Sequence, residues 1–125
     1  MGRFKGGATH FHSIGQNIMI ASQSYKYQNG RFGVSSPSTG NYTRNIASSN
    51  PLYTAKDFYD KIAKGGIEKK VNENQRITRM SDGTSVAYRV KSVSDGTPVV
   101  EISIRRSKNS SGVKGQKIHF IKEWK

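Results

Sequence analysis

The tetrapeptide Ser81-Asp-Gly-Thr84 recurs unchanged as Ser94-Asp-Gly-Thr97, thirteen residues further on. An Asp-Gly pair tolerates the positive φ of a tight reversal, so each copy between alternating segments predicts a hairpin turn. The flanking segments do alternate. In Tyr88-Arg-Val-Lys91 and Val100-Glu-Ile-Ser-Ile104, every second residue is aromatic or aliphatic, which is the period of a strand with one buried face. The spacing predicts strands at about 75–81, 84–92, 97–106 and 116–122, running up and down as an antiparallel meander. A basic loop from Arg106 to Gly115 joins the last two.

Upstream of the turns the period is that of a helix. Ala55, Phe58, Tyr59, Ile62 and Ala63 fall on one face, predicting an amphipathic helix over about 54–64. Thr54, with Asp57 three residues on, has the spacing of a capping box, and Gly65-Gly66 supplies a left-handed stop. The expected fold is α+β, with one amphipathic helix packed on a four-stranded antiparallel meander sheet. Residues 1–50 are rich in Gly, Ser, Asn and Tyr. They are expected to be irregular apart from one short helix or strand around 14–25, forming the first part of a single compact domain whose second part is 51–125.

Charge narrows the function. Lys and Arg total 21 against 8 Asp and Glu, for a net charge of +13 over 125 residues, and Asp57 is the first acidic side chain. Such a field attracts polyanions: nucleic acid, an acidic membrane surface or an acidic protein inhibitor. The chain has no cysteine, which excludes disulfides and thiol catalysis. No apolar run is long enough for a membrane span, and the first residues lack the apolar stretch of a secretory signal. His10 and His12 stand two apart with no carboxylate near them. They are expected to belong to a disordered terminus and to bind no metal, and no cofactor is expected.

Alternation also assigns faces. With the helix covering the apolar side, the opposite face collects Arg89, Glu101, Ser103, Arg105, Lys117 and His119. These groups suit RNA cleavage without metal. A base takes the 2′-hydroxyl proton, an acid supplies one to the leaving 5′-oxygen, and cations stabilise the charge on phosphorus. His119, Arg89, Lys117, Glu101 and Ser103 are the candidate catalytic residues. Arg105, Arg106, Lys108, Lys114 and Lys91 are the candidate substrate-binding cations. His119 is expected on the solvated face, so that its removal would leave the fold intact. A solvated sheet face rich in Arg, Lys and Glu is also the ordinary condition of antiparallel sheets.

Resemblance adds to this. Ala55-Lys-Asp-Phe-Tyr-Asp-Lys-Ile-Ala-Lys-Gly-Gly66, Asp82-Gly-Thr84, Tyr88-Arg-Val-Lys-Ser92, Ser94-Asp-Gly-Thr-Pro-Val-Val-Glu-Ile102 and Gln116-Lys-Ile-His-Phe120 resemble the C-terminal toxin domains of bacterial polymorphic toxins. These include contact-dependent inhibition toxins and LXG-type secreted proteins. Many such domains are similar to the barnase/EndoU/colicin/RelE ribonuclease superfamily. The resemblance implies helices before a four-stranded antiparallel sheet bearing the active site, with Glu101, Arg89 or Arg105, and His119 in the roles of the barnase branch. It further implies a monomer delivered on a larger secreted or surface protein, acting on RNA in a target cell's cytoplasm and held in check by an acidic immunity protein. The expected activity is a metal-independent endoribonuclease working by 2′-OH transesterification, with tRNA, rRNA and mRNA all open as targets. The alternatives are a non-catalytic nucleic-acid-binding module and a metal-dependent DNase toxin.

Overall fold

The Asp82-Gly83 turn shows how local chemistry starts the architecture. In the computed structural model, which describes residues 13–36, 40–92, 96–105 and 111–123, Gly83 takes a φ of 90°. Asp82 contributes its side chain instead of a left-handed backbone, accepting from the Thr84 N–H at 2.9 Å. Its other oxygen accepts from the Ile14 N–H at 3.1 Å, which ties the hairpin to the start of the first helix. Of the second copy of the turn, Ser94 and Asp95 lie outside the described residues, while Gly96 has a φ of 75°.

In chain order the elements are α1 (Ile14–Ala21), β1 (Tyr27–Gln28), β2 (Arg31–Phe32), β3 (Val34–Ser36), β4 (Gly40–Ser48), α2 (Pro51–Ile62), β5 (Ile67–Asn72), β6 (Gln75–Arg79), β7 (Ser85–Arg89), β8 (Val99–Ser103) and β9 (Gln116–Lys122). The expected meander is present as β6 to β9. It is the middle of a larger sheet of seven strands, ordered β3-β4-β9-β8-β7-β6-β5. All neighbours are antiparallel except β4 and β9, which run parallel. The four-stranded expectation is therefore too narrow, and the described part of residues 1–50 is not mainly irregular. It supplies a helix, a small hairpin of β1 and β2, and two strands of the main sheet.

Helix α2 begins earlier than the apolar period suggested. Asn50 is its cap, accepting from the Tyr53 N–H at 3.3 Å, and Pro51 occupies the first turn, where a missing N–H costs nothing. Thr54 does not cap the helix: its hydroxyl pairs with Ser48 at 2.6 Å. Asp57 faces Lys61 Nζ at 2.8 Å and the Tyr25 hydroxyl. At the other end, the buried Asn17 of α1 donates to the carbonyls of Ile62 at 2.7 Å and Lys64 at 2.9 Å. Helix α1 thereby satisfies acceptors that the end of α2 leaves open, and Gly65 follows with a φ of 82°.

The apolar face of α2 lies on β4, β7, β8 and β9. Phe58 is its hub, with ring centroids 4.9 Å from Phe32, 5.2 Å from Tyr25 and 5.6 Å from Phe120. Tyr59 stacks on Tyr88 at 5.2 Å and hydrogen-bonds Thr78. Val86, Val100, Ile102 and Ile118 complete the covered side of the sheet. Phe120 is fully buried there. Phe120→Ala should therefore cost about 3–5 kcal/mol, read as a lowered midpoint in urea unfolding with the slope unchanged.

Candidate active site on the outer face of the sheet

Strand registers lay out the face turned away from α2. Ala87, Glu101, Lys117 and Thr43 are successive cross-strand partners, so Glu101 and Lys117 stand directly opposite one another near the middle of the sheet. One row along, Arg89, Val99, His119 and Asn45 are partners. One row the other way, Arg79, Ser85 and Ser103 are partners, and with Gly83 and Arg105 they line a cleft of about 470 Å³. Alternation thus placed Arg89, Glu101, Ser103, Lys117 and His119 on one face, as expected. Same-face neighbours along a strand are about 6.6 Å apart, which spreads the set over three rows instead of a single cluster.

The remaining candidates scatter. Lys91 lines a second concavity with Arg89, Asn72, Glu73, Asn74 and Gln75, at the far end from Arg105. Lys114 does not join the face: its backbone N–H bonds the Gly30 carbonyl at 3.0 Å, and its chain lies against that glycine. Arg106 and Lys108, like His10 and His12, lie outside the described residues. Among the described residues, no group of three His, Asp or Glu side chains could hold a metal ion, and no helix is long and apolar enough to cross a membrane.

His119 departs from the expectation in one respect. It lies on the predicted face but is only 6% exposed. Thr97 and Pro98 extend the β8 side of the ladder beside it. The Ser92 N–H bonds the Thr97 carbonyl at 2.7 Å, and the Phe120 N–H bonds the Pro98 carbonyl at 2.9 Å. The Thr97 hydroxyl meets His119 Nδ1 at 2.8 Å. The imidazole is thus packed as well as polar. His119→Ala should lower the unfolding midpoint measurably, contrary to the behaviour of a solvated side chain.

Sequence reading missed Tyr42. Strict alternation from the buried Arg44 would turn it inward, but β3 and β4 pair irregularly. Ser35 sits opposite Arg44, while Ser36 sits opposite Gly40. Such irregularities re-aim side chains, and here the Tyr42 hydroxyl crosses β9 to donate to a Glu101 carboxylate oxygen. It passes Gly115, where an added Cβ would touch the ring at 3.7 Å. Partial burial first, then the bond to Glu101 and that carboxylate's charge, together push the phenol up to about 12, with Arg105 opposing them.

The folded value lies above the usual 10. This contribution to stability is accordingly complete below pH 10 and lost as pH rises through about 12. Glu101→Gln should lower the Tyr42 ionisation while leaving it above 10 because burial persists, as read by ultraviolet titration against Tyr42→Phe. Comparison with protein-family models, curated proteins and solved structures finds no match to the chain.

Proposed function

We propose that the chain is a metal-independent endoribonuclease domain that binds RNA across the outer face of the sheet, and that it serves as the toxic end of a polymorphic toxin. The observation that carries this reading is the direct pairing of Glu101 with Lys117, on the face turned away from α2, in a chain with a net charge of +13. A strongly basic surface draws in an RNA strand by releasing its counterions. A carboxylate and an ammonium at cross-strand distance then supply the base and acid that 2′-OH attack requires.

In this scheme Glu101 takes the 2′-hydroxyl proton as that oxygen bonds to phosphorus. Lys117 gives a proton to the leaving 5′-oxygen, ending in a 2′,3′-cyclic phosphate and a 5′-hydroxyl. Tyr42 holds the carboxylate in place through its hydroxyl. The flanking guanidinium of Arg89 adds donors for the charge on the phosphorane. His119, buried and bonded to the Thr97 hydroxyl, is a positioning residue for β9 and so for Lys117. An acidic immunity protein fits the same charge, because complementary fields give the rapid capture that protects a producing cell.

Tyr42 is 47% exposed and favours a second reading, a module that stacks bases without cutting them. Incubating purified protein with RNA in EDTA separates the two. Cleavage is expected, with cyclic-phosphate ends, and a strand carrying 2′-deoxy at the cut position should survive. Glu101→Gln should slow cleavage by roughly 10²- to 10⁴-fold. Normal cutting of the deoxy strand would overturn the mechanism. Tight binding without cleavage would favour the stacking module.

A further inference from the structure

The cleft beside Ser103 has its own chemistry. Arg79, Ser85 and Ser103 are cross-strand partners on β6, β7 and β8, so Arg79 stands roughly 10 Å from Ser103 across two strand spacings. The two serines are small and leave a hydroxyl-lined floor. Arg79 and Arg105 stand as walls, and Gly83 has no side chain to close the end. Among the described residues, no carboxylate lines the cleft. The nearest in sequence, Asp82, has its oxygens engaged by the backbone N–H groups of Thr84 and Ile14. Two guanidiniums over a floor of hydroxyls present donors to a tetrahedral anion, and the planar guanidinium fork matches two phosphate oxygens at once.

Position says which anion. Ser103 is one same-face step along β8 from Glu101, about 6.6 Å. Ala87, the partner of Glu101 on β7, raises little between the two places. We propose that this cleft is a subsite for an internal phosphodiester of the RNA strand, adjoining the one held over Glu101 and Lys117. The inference rests on the reading of this face as an RNA-binding surface. It goes beyond it by naming Arg79 and Ser85, which no part of the catalytic scheme uses, as substrate contacts.

The test uses fluorescence anisotropy with a 2′-O-methyl oligoribonucleotide, which the 2′-OH mechanism cannot cut. The full chain is compared with an Arg79→Gln/Arg105→Gln double variant. A Lys26→Gln/Lys64→Gln variant removes the same charge at two exposed sites off this face. The cleft variant should bind roughly tenfold or more weakly, and the slope of log affinity against log salt should fall by about 1. The control should change little. Equal loss in both variants would reduce the effect to net charge and overturn the subsite. So would an unchanged cleft variant, or an effect confined to strands with a 5′-terminal phosphate. Failure of the parent protein to bind any strand would instead bring down the RNA reading itself and the subsite with it.

Discussion

The parallel pairing of β4 with β9, from Thr43 opposite Lys117 to Ser48 opposite Lys122, is the constraint on which the rest depends. Parallel neighbours cannot be joined by a short turn. Between these two the chain spends α2, β5 and the first three strands of the meander before returning. That return places β9 in the interior of the sheet with a strand on each side, so Phe120 can meet Phe58 below while Lys117 and Glu101 face outward above. Without β4, β9 would be an edge and Tyr42 would have no path to Glu101.

The parts legible in the sequence are those whose signals are local. Asp82-Gly83 announces its turn in two residues, and period 2 in 85–89 and 99–103 assigns faces correctly once the helix is known to cover one of them. Strand β4 hides because its inner side carries Arg44, a residue no hydrophobic pattern would place there. That guanidinium is 8% exposed and gives its donors to the carbonyls of Phe32 and Gly33, each at 2.9 Å. Strand β5 hides for the opposite reason. All six of its residues are exposed, so no buried face imposes alternation. The burial of His119 rests on contacts between strands, such as that with Thr97, and the reach of Tyr42 depends on an irregular pairing. Both are tertiary facts. The start of α2 was legible and misread, since Asn50-Pro51 is a stronger opening than Thr54.

Polar side chains stitch parts of the interior together. Gln116 is fully buried. Its oxygen accepts from the Phe32 N–H at 2.7 Å, and its amide donates to the carbonyls of Gly30 at 3.0 Å and Lys114 at 2.7 Å. This single side chain holds the small hairpin of β1 and β2 against the end of β9. Asn17 does the same between the two helices. Because an unmet partner in such a place costs more than a met one contributes, these contacts act chiefly to reject alternative packings. Arg31 Nε, buried without a partner near Arg44, is the exception among the described residues, and nothing in the structure explains it.

The two ends of the sheet also differ. On one side β3 is only three residues long. On the other, β5 offers a full strand of backbone to solvent but carries Glu68, Lys69 and Lys70 in succession between Ile67 and Val71. A further strand of this same chain, laid against that ladder, would bring its own lysines alongside these, and like charges on neighbouring strands repel. The sheet is thereby kept at a finite width. Charges along an exposed edge strand are a general means of discouraging a sheet from templating a fibre of itself.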